Sequence, residues 1–220
     1  TRKATRAMID LYTWATPNGR KVSVILEELG LQYCTHPINL GKNGQYSDEF
    51  IAINPNSKIP AIVDNDGPYG EPITIFESAA ILMYLAEKTG SALLPTETRG
   101  RYQVMQWMML QMGSIGPMFG QAHHYFRFAK EDVPYAKKRY YDETKRLYCV
   151  LNERLKKAAF LAGAEYSIAD IATYPWVARF DWHEVDLNKF PAVKSWFDKL
   201  SDRPAVAKGM VILHNDKKKT

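Results

Sequence analysis

Pro60-Ala61-Ile62-Val63, followed after the loop Asp64 to Gly70 by Ile73-Thr74-Ile75 and at once by Glu77-Ser78-Ala79, is the stretch on which the fold turns. Its two apolar runs are rich in β-branched residues and close together in sequence, which predicts a hairpin. From Glu77 to Lys88 the apolar period lengthens to that of a helix, with Ala80, Ile81, Tyr84 and Leu85 among its positions. Upstream, Met8 to Thr13 reads as a strand. Thr16-Pro17-Asn18-Gly19 then starts a helix, with Thr16 as N-cap and Pro17 in the first helical position. Val22, Ile25, Leu26 and Leu29 continue it, and Gly30 stops it. Leu31 to Ile38 is a second strand, completing a βαβ unit. The polar loop Gly41-Lys42-Asn43-Gly44-Gln45, a helical stretch near Ser47 to Ile53 and the turn Asn54-Pro55-Asn56 lead back to Pro60. The order βαβββα predicts a small α/β domain over residues 8–90, with helices on the faces of a mixed sheet.

Beyond the linker Gly90 to Thr96 the pattern changes, and from Glu97 onward no strand is legible. Residues 97–213 are predicted to be an all-helical domain, so the fold class is α/β plus all-α. Gln103 to Met112 is helical, and Gly113, Gly116, Pro117 and Gly120 predict a kink or break before more helix. Pro134 to Lys157 carries Tyr140, Thr144, Leu147, Leu151 and Leu155 on one stripe. Ser167-Ile168-Ala169-Asp170 is a capping box, with Tyr166 and Ile171 placed as a hydrophobic staple. Pro191 to Leu200 adds a short helix.

The 220 residues suffice for a substantial core. The formal charge of +5 invites a polyanionic partner until it is located. Arg2, Lys3 and Arg6 stand at one end of the chain and Lys217, Lys218 and Lys219 at the other, in tails expected to be solvated. Those six cations removed from +5 leave −1 for the body, so no basic field steers nucleic acid. The longest apolar run, Ala79 to Ala86, is too short to span a bilayer, and no secretory leader pattern opens the sequence. Cys34 and Cys149 form no Cys-x-x-Cys, which argues against a zinc ribbon or a dithiol redox motif and suits the cytoplasm.

Three segments carry candidate chemistry, and each also has a plain structural reading. Pro60 opens a strand, where a missing N–H is tolerated. Were the Ile59-Pro60 bond cis, as about one X–Pro bond in twenty is, Ile59 would offer its N–H and C=O as a bare edge for an extended peptide. Ser78 can cap its helix while Glu77 favours the dipole. Alternatively, the helix N-terminus and the Ser78 hydroxyl bind a carboxylate while Glu77 binds an ammonium. Thr16 and Asn18 are good cap and turn residues, and a thiol held above them would have its pKa lowered. Tyr12 is expected to pack in the core. His123 and His124 lack a third ligand at useful spacing, so no metal is expected.

Taken in order, these three segments and the capping box resemble the glutathione transferase superfamily over roughly Met8 to Ala207. Thr16-Pro17-Asn18-Gly19, Gly41-Lys42-Asn43-Gly44-Gln45 and Gly116 to His124 are similar to the nu class, glutathione transferases that act as disulfide-bond oxidoreductases. The resemblance implies a thioredoxin-like first domain and a cis bond before Pro60. It implies that Ile59 pairs with the cysteinyl part of glutathione, that Glu77 and Ser78 hold the γ-glutamyl end, and that Gln45 and Lys58 reach the glycyl carboxylate. It also implies that Thr16 and Asn18 face the ligand sulfur and that Arg139 contacts a glutathione carboxylate. His123 and His124 would border the second-substrate pocket with Tyr125 and Phe126. Residues 1–7 precede the usual start of the family, and Ala122 stands where the nu class commonly has Asn.

The expected activity is reduction of small disulfides by a glutathione thiolate, in a homodimer that needs no metal. Conjugation of electrophiles or reduction of hydroperoxides from the same thiolate is the second reading, and a non-catalytic glutathione-binding regulatory protein the third.

Overall fold

A computed structural model describes residues 9–213. Met8 and the two basic tails lie outside the described residues. The chain forms two compact units, one built from residues up to Thr89 together with those from Ala205, the other from Gly90 to Pro204.

The first unit is a four-stranded sheet in the order β2-β1-β3-β4. Strands β1 (Ile9–Thr13) and β2 (Tyr33–Pro37) are parallel, joined through helix α1 (Pro17–Glu28). After two single helical turns at Leu40–Lys42 and Gly44–Tyr46, α2 (Asp48–Ile53) is capped by Ser47 Oγ, which accepts from Phe50 N–H at 3.3 Å. Strands β3 (Ala61–Asp64) and β4 (Ile73–Phe76) form the expected hairpin, β3 running antiparallel to both β1 and β4. Alternation along β1 buries Ile9, Leu11 and Thr13 on one face and leaves Asp10 and Tyr12 half-buried on the other. Tyr12 therefore stacks on His36 (4.7 Å between ring centres) across β1 and β2 and is not fully buried.

Helix α3 (Ser78–Lys88) packs against α1 and is pinned to the hairpin by Asp64, which is fully buried. Asp64 accepts from Tyr84 Oη at 2.6 Å and from the Asp66 N–H at 3.0 Å, and pairs with Lys88 Nζ at 2.8 Å. Burial works to raise this carboxyl, but its three donors win and hold it below the usual carboxylate range.

In the second unit α4 (Thr98–Leu110) runs on without the expected break. Pro117 has no N–H to continue the ordinary ladder. The helix instead widens over Gln111–Ile115, where Gly116 N–H reaches back five residues to Gln111 O, before resuming as α5 (Gly116–His123). Gly116 sits tight against the widened turn, where a Cβ would stand 3.0 Å from Gln111 Nε2 and 3.3 Å from Gln111 O. A second widened turn covers His124–Phe128, and α6 (Pro134–Leu155) follows. The innermost element is α7 (Ile168–Val177), every residue of which is buried. Helices α8 (Pro191–Ser201) and α9 (Pro204–Met210) follow, and α9 packs in the first unit, where Ser23 Oγ donates to Gly209 O at 2.7 Å.

The capping box forms as read, and it does more than cap. Asp170 Oδ2 accepts from Ser167 N–H (3.0 Å) and Ser167 Oγ (3.1 Å), while Oδ1 accepts from Leu161 N–H and Trp196 Nε1, both at 2.9 Å. Burial raises the Asp170 carboxyl, and these donors oppose it. Asp170→Ala orphans several buried donors at once, so we expect a loss of about 3 kcal/mol or more, read as a Tm lowered by roughly 6–12 °C.

His123 is buried in this unit among aromatic and imidazole rings. It stacks on His183 (4.6 Å) and meets Trp182 (5.2 Å) and Trp176 (5.6 Å), while His183 Nδ1 is hydrogen-bonded to Tyr148 Oη at 3.0 Å. Burial, aided by Arg179 and Arg127, pulls His123 down to about 4, and burial pulls His183 well below the ordinary imidazole value. The unfolded chain therefore takes up protons near the ordinary histidine value of about 6.5 that the folded chain refuses. Stability is greatest above that value and falls as pH drops toward the folded value. Urea midpoints should decline between about pH 7 and about pH 5.5, and His123→Gln should flatten that decline; an equal slope in the variant would assign it elsewhere.

Candidate functional site

Strand direction decides which of the candidate residues meet. The C-terminal end of β1, the start of β3 and the C-terminal end of β4 lie at one end of the sheet, because Tyr12 pairs with Ala61 and Ala61 with Phe76. Residues just beyond those strand ends are Thr16 and Asn18, Ile59 and Pro60, and Glu77 and Ser78. Parallel pairing brings the end of β2 there too, with Ile38 N–H donating to Thr13 O at 2.9 Å, and the loop carrying Gln45 leaves from it. Exposed Lys58 directly precedes Ile59. Eight of the nine candidates thus gather at one sheet end.

Thr16 is the N-cap of α1, accepting from Gly19 N–H at 3.2 Å, with Pro17 next and Asn18 in the first turn. The segment turns tightly, and Gly19 is the residue that permits it: a Cβ there would stand 2.2 Å from Trp14 O and 2.4 Å from Thr13 Oγ1. In the Gln45 loop, Asn39 Oδ1 accepts from Lys42 N–H at 3.2 Å and Asn39 O accepts from Gly44 N–H at 2.9 Å, winding the chain tightly about Asn39.

The Ile59-Pro60 peptide is cis, as the resemblance implies. The ladder begins at Ala61, and no hydrogen bond among the described residues uses the Ile59 N–H or C=O. The loop before it is held from within by Asn54, whose Nδ2 donates to Lys58 O (2.6 Å) and whose Oδ1 accepts from Asn56 N–H (2.9 Å). Asn54 was legible only as a turn residue, yet it is 1% exposed and sets the approach to Ile59.

At the start of α3 the cap differs from the expectation. Glu77 is the N-cap, with φ 69° and ψ 116° and no side-chain capping bond, and Ser78 is the first helical residue. That backbone region is one side chains rarely adopt and costs on the order of 1–3 kcal/mol. Glu77 is exposed whereas Ser78 is buried, and the Ser78 Oγ accepts from Lys21 Nζ at 3.3 Å. Lys21, on α1, is 1% exposed. Burial lowers its ammonium to about 7, while Glu77 acts to raise it. Nothing in the apolar pattern of α1 marked Lys21 as an interior residue.

Arg139 belongs to the second unit, exposed on α6, where with Tyr135, Lys138, Asp142, Glu143 and Arg146 it lines a cavity of about 670 Å³. Both cysteines are free and exposed. On the outer face of the sheet Asp10, Cys34 and His36 bring potential ligand atoms within 4.8 Å of one another, a cluster the sequence did not suggest. There His36 Nε2 lies 2.8 Å from Asp10 Oδ1, and Asn65 Nδ2 donates to Asp10 Oδ2 at 2.9 Å. Among the described residues no helix is long and apolar enough to cross a membrane.

Residues 15–88 match the family model described as glutathione S-transferase, N-terminal domain, and residues 108–204 the one described as glutathione S-transferase, C-terminal domain. The chain is 50% identical over 207 residues to the disulfide-bond oxidoreductase YfcG of Escherichia coli K12, covering 93% of this chain and 95% of that protein. A glutathione transferase from Burkholderia graminis, solved with two glutathione molecules bound per subunit, superposes with a TM-score of 0.90 at 45% identity, over 96% of this chain and 90% of that one. One from Pseudomonas putida, solved with one glutathione disulfide bound per subunit, gives 0.89 at 44% identity, over 95% and 93%.

The close approach at Gly19 can be checked without any ligand. Gly19→Ala must push Trp14 O or Thr13 away from α1, and should cost about 1–3 kcal/mol in urea denaturation; an unchanged midpoint would show that the turn has room.

Proposed function

Since the chain belongs to the glutathione S-transferase family, we propose that it is a glutathione-dependent disulfide-bond oxidoreductase of the nu class that reduces small disulfides. The observation that carries this reading is the convergence at one sheet end of the α1 N-terminus, the unused Ile59 backbone and the Glu77–Ser78 start of α3. Ile59 pairs with the cysteinyl backbone of glutathione. Glu77 takes the γ-glutamyl ammonium, and Ser78 with the first N–H groups of α3 takes its carboxylate. Gln45 and Lys58 reach toward the glycyl carboxylate. Arg139 is assigned a glutathione carboxylate by the resemblance alone.

So held, the sulfur lies at the positive end of α1. The Thr16 hydroxyl accepts from Gly19 N–H, which leaves its own hydrogen to donate, and Asn18 supplies a second polar group. Both favour thiolate over thiol. The thiolate attacks the glutathione sulfur of a mixed disulfide, forming the sulfur–sulfur bond of glutathione disulfide. The old disulfide bond breaks, and the departing thiolate takes a proton from solvent. The protein contributes position and a lowered pKa, and the electrons come from glutathione. Disulfide exchange is preferred over conjugation because of the 50% identity to a disulfide-bond oxidoreductase and the paired or disulfide-linked glutathiones in the related structures. On family grounds the working form is a cytoplasmic homodimer.

Because the sulfurs belong to the ligands, replacing both Cys34 and Cys149 by Ser should keep kcat for a glutathione mixed disulfide within about twofold. Asn18→Ala should lower kcat/KM by tenfold or more, on the scale of one lost stabilising donor. Assays with the disulfide, a hydroperoxide and a chlorinated aromatic under one set of conditions should rank the disulfide first. Complete loss of activity in a folded double-Ser protein would overturn the mechanism.

A further inference from the structure

A lysine that is 1% exposed calls for a reason, even on a helix whose residues 19–26 are all buried. Lys21 donates from Nζ to Ser78 Oγ at 3.3 Å, across the contact between α1 and α3. An ammonium has three donors and no acceptor. Toward it the Ser78 oxygen can only accept, and the single hydroxyl hydrogen must point elsewhere. A neutral amine has a lone pair, and Ser78 can then turn its hydrogen inward to Lys21. Ser78 is the first residue of α3, where the leading backbone N–H groups also lack helical partners. The direction of one hydroxyl hydrogen therefore decides whether an anion at this helix start meets a full set of donors.

We propose that Lys21 is a positioning residue: as an ammonium it fixes the Ser78 hydroxyl as a donor to the γ-glutamyl carboxylate, so that binding of the ligand draws a proton onto Lys21. This rests on the glutathione reading above. Lys21 itself stays behind Ser78 and need not touch the ligand.

The surrounding charges leave the group poised. Burial brings the Lys21 ammonium to about 7, so both forms are populated at neutral pH. From the start of α3 Glu77 acts to raise it, and on α1 itself Arg20 is the neighbouring cation. Farther along α1, Glu27 is engaged by Lys208 of α9 at 2.7 Å and by Tyr33 Oη at 2.7 Å. Asp64 of β3 is taken by Lys88 and Tyr84. A carboxylate arriving at Ser78 adds a negative charge beside the ammonium and raises it further. Reciprocity then requires the protonated form to bind the ligand more tightly.

The test is calorimetric titration with S-methylglutathione, which has no thiol proton of its own to release, in two buffers of different ionisation enthalpy. The wild-type protein should take up close to one proton near pH 8 and almost none near pH 6. Its affinity should fall about tenfold over that interval, as expected when only the protonated form binds. Lys21→Arg, which carries its charge throughout, should bind with nearly constant affinity across the range. Lys21→Met should bind at least about tenfold more weakly near pH 6 than the wild type, with no proton uptake. A wild-type protein with flat affinity and no uptake overturns the proposal, and so does a Lys21→Met protein that keeps the wild-type profile. If Lys21→Met does not fold, the wild-type proton count and the Lys21→Arg profile decide. Failure of the wild type to bind glutathione or S-methylglutathione at any pH would instead overturn the parent reading, and this one with it.

Discussion

Strand β1 is hydrogen-bonded on both sides, parallel to β2 and antiparallel to β3, and that double pairing governs the chemistry available to the chain. A parallel neighbour needs a crossover helix, which puts the N-terminus of α1 just past the end of β1. An antiparallel neighbour starts where β1 ends, so the cis Ile59-Pro60 bond arrives at the same place. One more antiparallel strand brings the start of α3 back to it. Two helix N-termini and one open stretch of backbone are thus collected without any long loop. Donors dominate such a meeting point, which suits a ligand with carboxylates at its ends and a thiolate in its middle.

The second unit obeys a different constraint. An innermost helix buried over its whole length can have no solvated side, and α7 accordingly keeps its carboxylate at its first turn. Asp170 there gathers donors from the loop before the helix and from Trp196 of α8, so a local capping motif becomes a tertiary junction. The stacked pair His123 and His183 belongs to the same interior and is kept neutral by it.

Features governed by neighbours in sequence were legible in it. The Thr16–Pro17 helix start, the hairpin between Ala61 and Phe76 and the Ser167–Asp170 box are each written within a few residues, and each forms. Where tertiary packing overrides local preference, the reading failed. Ser78 looked like a cap because a hydroxyl at a helix start usually is one, but the chain bends at Glu77 and turns the serine toward Lys21. Lys21 resembled any lysine of an amphipathic helix, since its burial is imposed by α3 from far along the chain. The glycines before His123 promised a break, yet the helix absorbs Pro117 by widening, with Gly116 close against Gln111. The candidate site itself was readable chiefly as an ordered set, because each segment alone has a sufficient structural explanation.

Helix α9 lends the first unit a part that follows the whole helical unit in sequence. Gly209 lies so close to α1 that a Cβ on it would stand 2.6 Å from Val24 Cα, and Ser23 spends its hydroxyl on the Gly209 carbonyl. A ribosome releases α1 well before α9, with the whole helical unit between them. The nascent sheet and α1 must therefore wait, with the Val24 face uncovered, through synthesis of the whole helical unit, whereas domains commonly complete themselves in order of emergence. Birth of this protein is in that sense sealed late: the first unit is finished only after the second exists.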